Sequence, residues 1–233
     1  MNTLQENFQT IQANIAEAAR KSGRTAEDVT LIAVTKTISV AQIREAMALG
    51  CVHLGENKVQ ELLSKYDDLY YLSPEFHMIG HLQTNKIKSI IDKVRMIHSV
   101  DSTRLASEID KHALRNNVIV DILVEVNIAN EPSKHGVPAE EAEALLVKID
   151  AMRGIRAKGL MCIAPFVENS EQNRPYFEKM RKLLIDIQSK LWLNKDKHDF
   201  STLSMGMSND YTVAVEEGAT MVRIGTSLFG SRL

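Results

Sequence analysis

The spacing of apolar positions changes character once along this chain and then repeats. Near the N-terminus, Leu4, Phe8, Ile11, Ile15 and Ala18 recur at helical intervals and predict an amphipathic helix. Beyond Gly23 the chain alternates short β-branched runs with helical stretches. The runs cover residues 29–37, 52–57, 76–80, 95–100, 118–128, 155–163, 200–205 and 221–224. The stretches cover 40–49, 59–70, 84–91, a segment capped by Asp101 and Ser102 that runs through His112, then 138–152, 170–191 and 210–217, and the chain closes near Phe229. Gly50 sits where a helix C-terminal glycine belongs. The run VIVDILVEVNI at 118–128 is nearly all apolar, as a strand buried on both faces must be.

Eight strand–helix units predict a single (β/α)8 TIM barrel with an extra N-terminal helix, one domain over residues 1–233. No linker, low-complexity tract or change in composition marks a second domain. Apolar residues make up 44% and charged residues 25%, an ordinary globular balance, and the net charge of −2 supplies no basic footprint for nucleic acid. No stretch approaches the length of a membrane span. The N-terminus has acids and amides where a signal peptide needs an apolar core. Cys51 and Cys162 lie in apolar surroundings without metal-type spacing, which fits a reduced, cytoplasmic protein. The seven histidines are scattered with no HExxH-like pair, so no metal site is expected.

In such a barrel the chemistry gathers at the C-terminal strand ends. Lys36 closes the apolar run VTLIAVTK. A desolvated amine there is a candidate nucleophile toward a carbonyl; a lysine whose stem covers apolar surface while its amine reaches water is the other reading. The segments SMGMS at 204–208 and RIGTS at 223–227 suggest a phosphate cup. Gly206 and Gly225 would allow close backbone approach, Ser208 and Thr226 would add donors, and a helix starting near Asp210 would point its positive end at the anion. Arg223 suits an anion or a heteroaromatic nitrogen, or an ion pair with Glu56 or Asp210. Asn57 suits a phenolic oxygen or a turn. Met161 and Met207 suit the faces of a flat ring or a core gap. Glu125, inside the fifth strand, needs a partner such as Lys36 or Arg223. His77 and His81 read as hydrogen-bonded structural histidines.

An amine, a phosphate cup and an arginine together point to pyridoxal 5′-phosphate. The segments LIAVTKT (31–37), HLGENKVQEL (53–62), FHMIGHLQTNK (76–86), HSVDS (98–102), KGLMCIAP (158–165), LSMGMSND (203–210) and VRIGTSLFG (222–230) carry a resemblance to the pyridoxal phosphate homeostasis proteins, the YggS/PROSC group. The resemblance implies a barrel related to the N-terminal domain of alanine racemase. It implies the cofactor held as an aldimine on Lys36, with Asn57 at the ring oxygen and Met161 on the ring. It implies phosphate contacts from Ser208, Gly225 and Thr226, and Arg223 near the pyridine nitrogen or the phosphate. Lys58 departs from the tyrosine of many relatives and offers a second amine.

The function expected is buffering and delivery of the cofactor, with apo enzymes that use it as possible recipients, in a monomer that touches neither nucleic acid nor membrane. Strong catalysis is not expected, because a racemase needs a second acid/base on the opposite face of the substrate carbon and no tyrosine lies at a strand end. The alternative is an amino-acid racemase that uses the same cofactor.

Overall fold

The computed structural model describes residues 3–190 and 199–230. Eight parallel strands close in sequence order: β1 Thr30–Val34, β2 His53–Glu56, β3 Glu75–Met78, β4 Met96–Val100, β5 Val120–Glu125, β6 Ile155–Met161, β7 Thr202–Met207 and β8 Met221–Ile224. The helices are α1 Leu4–Lys21, α2 Val40–Ala48, α3 Val59–Leu69, α4 Thr103–Arg115, α5 Ala142–Asp150, α6 Arg174–Ser189, α7 Tyr211–Glu216 and α8 Thr226–Phe229. The fold is a (β/α)8 barrel with an added N-terminal helix, as the pattern predicts.

Strand alternation divides the side chains into two sets. Leu31, Ala33, Leu54, Phe76, Leu160, Leu203, Val222 and Ile224 face outward into one large apolar core under the helices. The barrel interior is different. Its apolar part includes Ile32 and a small cluster of Met96, Leu123 and Met161 with Met221 against it. The remaining interior positions are largely polar, and they bear the chemistry. On the N-terminal face, Arg95 and Arg156 both donate to the buried carboxylate of Asp121, at 2.8 and 2.7 Å.

Helix α1 covers the seam where β8 meets β1. Thr3 and Glu6 form a reciprocal capping box at its start. Its polar side chains then reach the last elements: Asn7 donates to the Leu228 carbonyl at 3.0 Å and Asn14 to the Tyr211 hydroxyl at 2.8 Å.

Three predicted helices differ in kind, and the one predicted over 138–152 opens as a 3-10 turn, Ala139–Glu141, before α5. The segment after β3 is a 3-10 helix, Thr84–Ser89, rather than an α-helix over 84–91. Ile87 and Ile90 are both fully buried, and their three-residue spacing lands on one face at three residues per turn. The helix predicted from Ser170 begins as a 3-10 turn, Ser170–Asn173, and becomes α-helical at Arg174, where Pro175 occupies the first turn; its predicted last residue, Leu191, lies outside the described residues. The glycine after α2, Gly50, has φ +105°, a conformation that glycine takes without a Cβ penalty.

Candidate functional site

Lys36 lies in the turn just beyond β1, half-buried, and its backbone is held from both sides. Before it, the Thr35 carbonyl accepts from Lys65 Nζ at 2.7 Å, and the Thr35 hydroxyl donates to Glu56 Oε1 at 2.7 Å. After it, the Thr37 amide donates to Glu61 Oε2 at 2.8 Å, at a left-handed φ of +64°. Lys65 also pairs with Glu56 at 2.7 Å, with the two side chains 9% and 0% exposed. Burial raises the Glu56 pKa, and its bonds to Lys65 and Thr35 work against that rise. Glu56 therefore faces α3 across the barrel wall, and the ion pair with Arg223 considered from sequence is not formed.

Arg223 points into the barrel and is 4% exposed. Nη1 donates to Ser204 Oγ at 2.7 Å and Nη2 to the Cys162 carbonyl at 2.8 Å. Ser204 continues the chain inward. His98 Nδ1 lies 3.0 Å from its hydroxyl, His98 Nε2 lies 2.9 Å from His77 Nδ1, and His77 Nε2 lies 3.1 Å from His53 Nδ1. Five side chains thus run from the rim through the interior to the opposite face. Burial pushes the His77 pKa down to about 3 and pulls His98 well below its usual value, so both rings are neutral at physiological pH. Since Arg223 can only donate, the arrangement that leaves no proton idle has Ser204 donating to His98, His98 to His77 and His77 to His53. His77 is structural, as expected.

Asp210 does not pair with Arg223 either. Its carboxylate accepts from the Met207 amide at 2.7 Å and from Asn173 Nδ2 at 2.8 Å, at the entrance to α7. Asp210 stands immediately before α7 and makes no side-chain bond to the helix's first amides. Gly206 has a packing reason instead: with φ +89°, a Cβ on it would come within 2.5 Å of Ala214 Cβ in α7. A cluster of amides and hydroxyls stands at the start of α8. Ser208 Oγ accepts from the Gly225 and Ser227 amides at 3.3 and 3.2 Å, and Ser227 Oγ returns a bond to the Ser208 carbonyl at 3.1 Å. Thr226 is exposed between them.

The strand register brings these groups to one end of the barrel. Ile32 pairs with Arg223 and Ala33 with Ile224, which sets the β1 turn beside Gly225. Val34 pairs with Gly55, so Lys36 and Asn57, each two residues further, leave the wall at matching heights. Met161 pairs with Ser204 and is fully buried with Met96 and Leu123, below the rim. A cavity of about 540 Å³ opens beside Asn57, Lys58, His81 and Gln83; Lys36, Ser208 and Arg223 do not line it. Lys58 is exposed at that cavity. Lys134 is held by Glu131 at 2.6 Å and by the Ala164 carbonyl at 3.2 Å. Glu125 ends β5, 6% exposed. Burial, with Asp101 adding to it and Arg223 opposing it, raises its pKa to about 7. No ion pair joins it to Arg223 among the described residues.

A closed parallel barrel with a pinned lysine after β1, an inward arginine on β8 and paired serines after β7 and β8 defines a class that comparison with known proteins makes specific. Residues 7–233 match the alanine racemase N-terminal domain. The chain belongs to that family and, within it, to the pyridoxal phosphate homeostasis proteins. The protein of that name from Aquifex aeolicus is 43% identical over 227 residues, covering 97% of each chain. The structure of PipY from Synechococcus elongatus with PLP bound superposes with a TM-score of 0.84 at 31% identity, covering 98% of this chain and all of PipY. Alanine racemase from Clostridium difficile shares the fold at 15% identity and a TM-score of 0.72, and the chain spans 56% of its length.

Two outcomes follow from the site's electrostatics. Lys65→Met should leave Glu56 buried without its cation and destabilise the fold by about 3–5 kcal/mol, whereas Lys65→Met with Glu56→Gln should recover much of that loss. Urea unfolding of both variants checks this, and equal destabilisation in the two would show that the pair is not coupled. The second concerns Glu125. An acid raised from 4.5 to about 7 binds more protons folded than unfolded, so its stabilising contribution is complete below pH 4.5 and is lost as pH rises to about 7. Glu125→Gln should therefore be more stable than the parent at pH 8, by up to about 3 kcal/mol, with the gap closing toward pH 5. His77 contributes the opposite slope in both proteins and cancels in the difference. A gap independent of pH would refute the shift.

Proposed function

We propose that this chain binds pyridoxal 5′-phosphate on Lys36 and acts as an intracellular carrier that buffers the cofactor and releases it to enzymes that need it. The cofactor, when bound, supplies an aldehyde that condenses reversibly with a primary amine. The observation that carries the reading is the register: Lys36, Asn57, Arg223 and the Ser208–Gly225–Ser227 cluster stand on the same rim. The residues present fit the group. Ser208 Oγ now holds two amides that a phosphate oxygen would accept from, and a rotation of that hydroxyl would free them while adding its own proton. Gly225 faces Val34 with no side chain between them and lets an anion approach the backbone; Thr226, exposed at the same turn, offers a further hydroxyl.

The other roles follow from placement. Asn57 offers its amide to the ring's phenolic oxygen. Met161 floors the site from inside the barrel. Arg223, anchored by Ser204 and Cys162, retains donors to face the pyridine nitrogen. Its fixed charge would keep that nitrogen unprotonated and so weaken the ring as an electron sink, which supports carriage over catalysis. The tyrosines support it as well. Tyr66 lies in α3, Tyr70 and Tyr71 just beyond it, Tyr176 in α6, and Tyr211 is bonded to Asn14, so among the described residues none stands at a strand end as a second acid/base. The name and full-length similarity of the Aquifex relative, and PLP in the PipY structure, support the same reading.

The purified protein should show a visible cofactor band that borohydride bleaches, and peptide mapping should place the pyridoxyl mass on the peptide containing Lys36. Lys36→Ala should lack the band. Label found mainly on Lys58 or Lys134 would overturn the assignment. Ser208→Ala should weaken pyridoxal 5′-phosphate more than phosphate-free pyridoxal, by roughly ten- to a hundredfold, since a hydrogen bond to a charged acceptor contributes about 1.5–3 kcal/mol. Arg223→Lys should change the band's position and pH dependence with little preference between the two ligands. Loss of phosphate-ester affinity alone would make Arg223 a phosphate ligand. Amino-acid racemisation at enzymatic rates by the parent protein would favour the racemase reading.

A further inference from the structure

We propose that His81, Asp101 and His135 form a binding site for a borderline divalent metal ion, zinc or a close analogue, on the barrel rim beside the cofactor region. The three residues are far apart in sequence and look unrelated there. Closure of the barrel places the loops after β3, β4 and β5 side by side, and each contributes one donor. One ligand atom from each residue lies within 4.8 Å of the other two. His81 Nδ1 stands 3.8 Å from Asp101 Oδ2, too far for a hydrogen bond. The two imidazole rings stack at 4.2 Å between centroids with an interplanar angle of 14°, so their in-plane lone pairs run nearly parallel and the exposed rings must turn out of the stack to face one ion. Ligands bound at about 2.0–2.2 Å around a tetrahedral zinc stand roughly 3.4 Å apart, so the donors must draw in by about an ångström while rotation of the two surface histidine rings aims their nitrogens at the ion.

The supports are rigid, and this separates the cluster from a chance meeting of surface side chains. His81 follows Gly80, whose carbonyl accepts from Ser99 Oγ at 2.6 Å. A Cβ on Gly80 would lie 2.4 Å from the Asn57 carbonyl oxygen, so its backbone is wedged against the neighbouring loop. Asp101 joins β4 directly to Ser102, which caps α4 by accepting from the Leu105 amide. His135 precedes Gly136, at φ +105°, and Val137, which bridges to Val126 through bonds of 2.9 Å to Glu125 and Asn127. All three donors thus hang from backbone fixed by other interactions, the condition a metal site requires.

Two imidazoles and one carboxylate suit zinc, cobalt, nickel or copper and disfavour calcium and magnesium, which need oxygen-rich sets. Three protein donors leave at least one coordination position for water or a small ligand. A cavity of about 410 Å³ shares His81 and Asp101 and extends to Thr84 and Arg104, giving the ion a route in from solvent.

The test is metal uptake by the tag-free, full-length protein after treatment with a chelator and removal of the chelator. Equilibrium dialysis against zinc should give one ion per chain, and cobalt should give the absorption bands of a low-coordinate histidine site. His81→Ala combined with His135→Ala should weaken uptake by about a hundredfold or more. Both residues are exposed, so the fold should survive, and a thermal melt of the unliganded variant checks that it does. Asp101→Asn should weaken uptake less, and His112→Ala, on α4 away from the cluster, should leave it unchanged. Absence of stoichiometric zinc in the parent, or uptake undiminished in the double variant, would overturn the proposal. The readout is the metal itself, so it stands or falls apart from the cofactor assignment.

Discussion

The ion pair between Lys65 and Glu56 fixes the place where a reactive amine can stand. It is buried on the outer side of the barrel wall, where unpaired charges would be costly, so its geometry has little freedom. The same ammonium grips the Thr35 carbonyl, and Glu61 takes the Thr37 amide. The backbone on either side of Lys36 is thereby fixed by charge-assisted bonds rather than by packing alone.

A second constraint follows inside the wall. Most barrels of this kind fill their interior with layers of branched apolar side chains. Here the apolar part is reduced, with Met96, Leu123, Met161 and Met221 in one cluster and Ile32 beside Arg223, and much of the remaining space is taken by Arg223, Ser204, His98 and His77. Burying so many polar groups is tolerable because each is matched to the next at 2.7–3.1 Å. The stability of the fold consequently rests on the outward-facing core beneath the helices.

Local patterning carried most of the architecture. Eight runs of β-branched residues, each followed by a helical stretch, are enough to predict the barrel, and Lys36 stands out because one run ends on it. Features that depend on closure were not legible. His77 and Ser204 are separated by most of the barrel and meet through His98, and His81 meets Asp101 and His135 only because three consecutive loops share a rim. Lys65 did leave a trace: it falls on the apolar stripe of α3 with Val59, Leu62 and Leu69, where a lysine needs a buried partner. Asp210 read as an ion-pair partner for Arg223, but its carboxylate is committed to Met207 and Asn173. The segment after β3 misled because two isoleucines three residues apart satisfy both helical periods.

The histidine chain has a consequence for how this barrel can change. In other barrels the two ends are separable, one tuned for stability and the other for chemistry. In this one, His53 near the N-terminal face is the last acceptor of a bond sequence that begins at Arg223 on the rim. A substitution beneath the barrel that removes that acceptor would turn the protons of three imidazole and hydroxyl groups, while the guanidinium keeps its bonds to the Ser204 oxygen and the Cys162 carbonyl. Grafting the rim alone onto another eight-stranded scaffold would transplant the lysine and the serines without the column that holds the arginine upright. The inheritable unit is the whole bore of the barrel, from one mouth to the other.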